Sequence, residues 1–146
     1  MMENNENERI DQIMIGKSDF KGINVIFDAC RSICKILYKN TVGTGFFIKI
    51  QKNNNNCYFI MSCEHVITKQ MIDLKESIDI SYDNQHKNLT IKLDKKERFI
   101  RDYRYLNIDS TVVEIFPNND DINEIYFLES NPDYQKGYEQ YENKTI

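Results

Sequence analysis

His65 is the residue whose type and position most readily suggest chemistry. It lies in the stretch MSCEHVITKQM, at the end of one apolar segment and directly before an apolar pair. An imidazole titrates near neutral pH, so it can act as a general acid or base. The other histidine, His86, lies in the polar stretch YDNQHKN. A histidine at a strand end can equally be structural, so its role depends on what the fold places beside it.

Ser62 and Cys63 are the local candidates for a nucleophile beside His65. Side chains two positions apart on a strand share a face. Cys63 would therefore stand beside the imidazole, with no oxyanion donors placed opposite. A thiol packed in the core is the favoured interpretation of Cys63.

Metal and phosphate sites are not favoured by the spacing of the candidate residues. Structural zinc commonly uses paired Cys-x2-Cys clusters, whereas Cys63 and His65 are two positions apart and Cys30 and Cys34 are four apart. The stretch IGKS at 15–18 matches the second half of a P-loop, but Asp11 stands where the motif needs a glycine. We expect no cofactor and no metal.

Length and charge limit the class of protein. The 146 residues, 40% of them hydrophobic, suffice for one domain with a core. The net charge of −4, with mixed signs along the chain, provides no basic face for nucleic acid. The runs GFFI and YFIM are far shorter than the roughly 20 residues that span a bilayer, and the polar start does not resemble a secretory signal. We expect a cytoplasmic protein with no nucleic acid or membrane partner, whose four cysteines are free and mostly buried thiols.

The elements that must position His65 are mostly strands. The stretch INVIFDACRSICKI predicts a short helix running into a strand near Ser32. Aromatic and β-branched runs follow, separated by polar turns: SICKILY, GTGFFIKI, CYFIMSC, SIDISY, LTIKL and STVVEIF. Gly43 and Gly45 indicate a strand bend or a tight backbone approach. Six or seven short strands suit an all-β fold, either a small closed barrel or a sandwich.

Three of these stretches, in the order GTGFFIKI, CYFIMSCEHVI and NIDSTVVEI, resemble the N-terminal half of the trypsin-like (chymotrypsin-fold) serine proteases. That family has a Gly-x-Gly-Phe strand, then an apolar strand ending in the catalytic histidine, then an aspartate leading an apolar strand. The resemblance assigns these two catalytic positions to His65 and Asp109. They lie 44 residues apart, in the His-then-Asp order of the family. The resemblance implies a single six-stranded antiparallel β-barrel after a short N-terminal helix.

The resemblance also implies a domain organisation. The barrel would occupy residues 23–130. Residues 1–22 are charged and rich in asparagine, which is typical of a flexible polar arm. Residues 131–146 would form a tail or the start of a linker between barrels.

The chemistry implied by the resemblance is peptide-bond hydrolysis by a histidine, an aspartate and a serine. The family places its serine in a Gly-x-Ser-Gly turn of a second barrel. No such turn follows Asp109, because the glycines of this chain are Gly16, Gly22, Gly43, Gly45 and Gly137. We therefore expect a half-domain without nucleophile or oxyanion hole, inactive alone, whose substrate is a polypeptide once a C-terminal barrel completes it.

Two other functions are compatible with the same residues. One is a non-catalytic, protease-derived binding module, whose apolar surface would lie exposed where a second barrel packs and would allow self-association. The aromatic end of the chain could contribute to that surface through Tyr126, Phe127, Tyr134, Tyr138 and Tyr141. The other is a small β-barrel binding domain that has the three motifs by chance.

Overall fold

A computed structural model describes residues 20–82, 87–120, 122 and 125–129, with side chains described from residue 26 onward. Its regular structure is mostly strand. The all-β prediction is confirmed. No helix in this described part of the chain is long and apolar enough to cross a membrane.

The first element is a helix that leads directly into a strand, as predicted. Helix α1 spans Phe20–Arg31 and strand β1 spans Ile33–Tyr38. The buried Ser32 lies between them and joins both to the sheet. Its hydroxyl donates a hydrogen bond of 2.5 Å to the carbonyl of Ala29, and its own carbonyl accepts one of 2.8 Å from the backbone N–H of Phe47.

The remaining elements follow with short connections. The strands are β2 (Thr41–Lys52), β3 (Asn55–Ser62), β4 (Ser77–Tyr82), β5 (Lys87–Lys92), β6 (Ile100–Asp102), β7 (Thr111–Ile115) and β8 (Leu128–Glu129). A short helix α2 (Lys69–Asp73) follows β3, and a 3-10 turn (Arg104–Leu106) precedes β7. The sheet order is β5-β4-β1-β2-β3-β7-β6, antiparallel throughout, and β8 adds to β2 in parallel.

The prediction of one closed six-stranded barrel is wrong. Seven strands of the described chain form an open antiparallel path, a half-barrel with β5 at one end and β6 at the other. The additional strand arises from a turn after β5. The Asp94 side chain accepts a hydrogen bond from the N–H of Lys96, and its carbonyl accepts from the N–H groups of Glu97 and Arg98. Before this turn, β5 pairs with β4. After it, the chain continues as β6, which pairs with β7.

The core lies on the inner face of the curved sheet. Many inward-facing residues of the strands are buried, and most of the fully buried ones are apolar, among them Ile36, Phe47, Ile60, Ile80, Ile91 and Val113. Phe127 packs its ring edge-on against Phe47. Phe127 therefore packs against the core, whereas the neighbouring Tyr126, also expected in an aromatic surface, is 37% exposed. Tyr134, Tyr138 and Tyr141 lie outside the described residues.

The two glycines of β2 confirm the predicted tight approach. A Cβ atom at Gly43 would overlap the side chain of Val66, and one at Gly45 would lie 2.7 Å from Cδ1 of Ile36 and 3.2 Å from the carbonyl oxygen of Met61. Neither position leaves room for a side chain.

The four cysteines are free thiols, but the expectation that most are buried is wrong. Only Cys34 is buried, Cys57 and Cys63 are half-buried, and Cys30 is exposed. Burial raises the pKa of the Cys34 thiol to about 12, although a hydrogen bond with the backbone of Gly45 acts in the opposite direction. Only Cys34 and Cys57 lie on strands, whereas Cys30 is on α1 and Cys63 follows the last residue of β3.

Candidate active site

His65 lies at the edge of the sheet, in the turn that follows β3. The carbonyl of Cys63 accepts hydrogen bonds from the backbone N–H groups of Val66 (3.0 Å) and Ile67 (3.1 Å). These bonds close one tight turn that carries His65 on its outer side. The side chain of His65 is 81% exposed there.

Asp109 reaches the same edge from the start of β7. Strands β3 and β7 pair with Ser62 opposite Thr111, so the end of one strand meets the beginning of the other. The fully buried hydroxyl of Thr111 also donates a 2.9 Å hydrogen bond to the carbonyl of Ile67, just after the His65 turn. Register and side-chain bonding thus bring together two residues that are 44 positions apart.

The His65 ring and the Asp109 carboxylate are in direct contact. Nδ1 of His65 lies 2.7 Å from Oδ2 of Asp109. The other carboxylate oxygen accepts a 2.7 Å hydrogen bond from the backbone N–H of Glu64. An ionised carboxylate can only accept hydrogen bonds, so Nδ1 carries the proton when the imidazole is neutral. Nε2 then keeps its lone pair and is able to accept a proton.

The surroundings of Asp109 favour its ionised form. Removal of the carboxylate from water acts to raise its pKa. The hydrogen bonds from the His65 ring and from the Glu64 backbone, together with attraction to the imidazole, outweigh that effect and hold the pKa of Asp109 below its usual value. The group that orients His65 is therefore charged at neutral pH.

Glu64 and Arg104 complete the polar surroundings, and the sequence analysis identified neither. The buried Glu64 side chain accepts a 3.3 Å hydrogen bond from the backbone N–H of Lys69, the first residue of α2. The same oxygen lies 3.5 Å from Nη1 of Arg104. A buried carboxylate needs such partners. The sequence signal for Glu64 is an acidic residue in the otherwise apolar MSCEHVI, whereas Arg104 has no signal.

Among the residues that the structure describes, no nucleophile is hydrogen-bonded to the imidazole. The buried Ser62 hydroxyl donates a 2.7 Å hydrogen bond to the carbonyl of Thr44 on β2, which gives it a structural role. Cys63 is half-buried. Across residues 26–82 and 87–120, no hydrogen bond joins His65 to a serine or cysteine side chain.

Two grooves meet at the imidazole. One has a volume of about 240 Å³ and is lined by Glu64, His65, Arg104, Asn107, Ile108 and Asp109. The other has a volume of about 370 Å³ and includes Tyr38, Lys39, Thr41, His65 and residues of α2. Because His65 lines both grooves, a chain-like ligand extending from one to the other would pass the imidazole.

The residues that could hold a metal ion differ from those weighed in the sequence. Ligand atoms of Glu64, His65 and Asp109 all lie within 4.8 Å of one another. Both oxygens of Asp109 and one oxygen of Glu64 already accept hydrogen bonds, so a cation would compete with these bonds. No cysteine belongs to this cluster.

His86 and the IGKS stretch, like the three C-terminal tyrosines named above, lie outside the described residues. Of the candidate catalytic residues, the structure brings His65 and Asp109 into contact, whereas the Ser62 hydroxyl is bonded to the backbone of β2. A search of protein-family models, curated proteins and solved structures finds nothing that matches the chain.

Proposed function

We propose that His65 and Asp109 are the acid–base pair of a trypsin-like serine endopeptidase site, with the serine contributed by polypeptide outside the described residues. The observation that carries this proposal is the 2.7 Å contact between Nδ1 of His65 and Oδ2 of Asp109. The resemblance of the three ordered motifs to the trypsin-like family assigns its catalytic positions to the same two residues. An antiparallel sheet with the histidine after β3 and the aspartate before β7 is further support.

The pair would act through Nε2 of His65. A serine hydroxyl placed beside Nε2 would transfer its proton to the imidazole while its oxygen attacks the peptide carbonyl. The imidazolium would then return that proton to the leaving amine. Asp109 would hold the ring orientation and stabilise the imidazolium, and the N–H of Glu64 would keep the carboxylate from rotating. The two grooves would hold the polypeptide substrate on either side of the imidazole.

Hydrolysis of p-nitrophenyl acetate by the full chain tests the reactivity of this imidazole without a serine. Nε2 attacks the ester carbonyl, p-nitrophenolate leaves, and water then releases acetate from the acetyl-imidazole. We expect release of p-nitrophenolate to fall several-fold in His65→Ala and in Asp109→Ala. The matched control is His86→Ala, since the chain has two histidines. A His65→Ala variant with the wild-type rate would contradict the proposal.

A non-catalytic, protease-derived binding module is the second candidate. It is favoured by the lack of a nucleophile bonded to His65 in the described residues, and by exposed apolar side chains beside the pair. Leu106 is 54% exposed and Ile108 is 51% exposed. A second barrel or another partner could pack there.

A fluorophosphonate serine probe tests whether the chain itself holds a serine that His65 activates. Labelling of the full chain that is lost in His65→Ala would show a serine activated by the histidine and would exclude the binding module. Absence of labelling, combined with ester hydrolysis that is independent of His65, would favour the module.

A further inference from the structure

A groove along β6 carries a local excess of positive charge. It has a volume of about 440 Å³, and its charged and aromatic lining residues are Lys95, Arg98, Phe99, Arg101, Asp102 and Tyr105. We call it the basic groove. It combines three cations, one carboxylate and two aromatic rings in a chain whose net charge is −4.

The cations of the basic groove differ in how far their charge is already neutralised. The Arg98 side chain is 9% exposed and forms two hydrogen bonds of 3.2 Å with the carboxylate of Asp120, so it is a fixed part of the wall. Within the described residues, Lys95 and Arg101 have no carboxylate partner. Their charge is available to an acidic ligand.

Aromatic surface lies beside these available cations. The Arg101 guanidinium lies 5.3 Å from the centre of the Phe99 ring, which positions the cation without cancelling its charge. Phe99 is 42% exposed and Tyr105 is 67% exposed. A ligand that carries both carboxylates and an aromatic group would match this surface.

Strand β6 contributes an open backbone edge. It pairs with β7 on one side and ends the described sheet path. The N–H of Glu114 donates to the carbonyl of Phe99, so the alternation of an antiparallel pair directs the backbone groups of Ile100 and Asp102 away from β7. Such an edge can accept an added strand.

We propose that the basic groove binds an extended acidic polypeptide segment, which adds a strand to the open edge of β6 and places carboxylates against Lys95 and Arg101. An aromatic side chain of the segment packs against Phe99 or Tyr105. The open strand edge selects a peptide backbone, because its N–H and C=O groups can pair with those of an added strand. This binding does not depend on the His65–Asp109 pair.

The probe for this site is a fluorescein-labelled decapeptide of alternating glutamate and tyrosine, titrated with the full chain and followed by fluorescence polarisation. We expect saturable binding that weakens with added salt. Lys95→Glu with Arg101→Glu should weaken binding by about tenfold or more, because reversed charges repel the probe. Asp102→Asn should strengthen it, because one repulsion is removed.

The controls test charge and strand addition separately. Lys52→Glu reverses an exposed cation outside the groove and should leave binding within about twofold of wild type. Methylation of alternate backbone nitrogens of the probe should abolish binding, because it blocks strand pairing. Circular dichroism checks that each variant is folded.

Three results would overturn the proposal. One is no saturable binding of the decapeptide. Another is unchanged affinity in the folded Lys95→Glu, Arg101→Glu variant. The third is equal binding of the methylated probe or of a ten-residue thymidine oligonucleotide, which would show general anion attraction in place of peptide recognition.

Discussion

The Asp109 carboxylate uses both of its oxygens, one for the His65 ring and one for the backbone N–H of Glu64. The second bond limits rotation of the carboxylate, so the first oxygen stays directed at Nδ1. A carboxylate in this position selects the imidazole tautomer that leaves Nε2 able to accept a proton. This selection can be measured on the folded chain, whether or not a serine is present.

Replacing Asp109 with alanine should remove the preference of His65 for the tautomer with the proton on Nδ1. We expect the wild-type chain at neutral pH to show predominantly the tautomer with the proton on Nδ1, because the carboxylate accepts its hydrogen bond. Asp109→Ala should shift the equilibrium toward protonated Nε2, the tautomer that a histidine side chain favours in water. Nitrogen-15 NMR of the two ring nitrogens reports the populations. Asp28→Ala, on α1, is the control and should leave them unchanged.

The lowered pKa of Asp109 should also appear in the pH dependence of stability. A carboxylate whose pKa is lower in the folded than in the unfolded chain stabilises the fold above its unfolded pKa of about 3.9. That contribution is lost as the pH falls through the lower, folded value.

Urea unfolding of wild type and Asp109→Asn at several pH values measures this effect. The variant should unfold at lower urea concentration at pH 6, and the difference should shrink below about pH 4. A difference that stays constant down to pH 2.5 would show that the charge of Asp109 is not its source.

At the scale of the elements, the turn after β3 is held against β2 by close packing. Gly43 leaves the space that the side chain of Val66 fills, one residue after His65. The sequence predicted a tight approach at Gly43 from the residue type, but it did not identify the partner, because Gly43 and Val66 belong to different elements. The position of His65 thus depends on a contact between β2 and the turn.

Gly43→Ala should displace this turn. We expect the free energy of unfolding to fall by about 1–3 kcal/mol, since the added methyl group overlaps Val66. Adding Val66→Ala should recover part of the loss, and urea unfolding of both single variants and the double variant gives the coupling energy. Gly45→Ala should gain nothing from Val66→Ala, because its added methyl group would meet Ile36 and Met61 instead.

The strands were predictable to the extent that their signal is local. The alternating burial of Ser77 to Ile80 in β4 follows from the alternation of polar and apolar residues there. The turn at Asp94 was not predicted, because it depends on hydrogen bonds from Lys96, Glu97 and Arg98 to one aspartate. That turn separates β5, which pairs with β4, from β6, which pairs with β7. The other edge of β6 is the open edge of the basic groove.

At the scale of the whole molecule, the sequence did not indicate the distribution of charge. Mixed signs along the chain suggested that no surface would be basic. Folding pairs Arg98 with Asp120 across 22 positions, and leaves Lys95 and Arg101 without carboxylate partners among the described residues. Which charges remain unpaired on the surface depends on such long-range pairs, and composition cannot show these pairs.

The exposed apolar side chains beside the candidate site should support weak self-association. Tyr105, Leu106 and Ile108 lie in one short segment and are all more than half exposed. Sedimentation velocity at increasing concentration should show oligomers for the wild-type chain. The double variant Leu106→Glu, Ile108→Glu should remain monomeric. Ile50→Glu, on β2, should behave as wild type, and monomeric wild type at high concentration would contradict this expectation.

Alkylation of the buried thiol of Cys34 can report the opening of the whole fold. With a pKa of about 12, only about one thiol in 100,000 is ionised at pH 7, and alkylating reagents attack the thiolate. Cys30, which is exposed, should be alkylated at once. Cys34 should react only when β1 separates from its neighbours, so the rate of its alkylation measures how often the sheet opens.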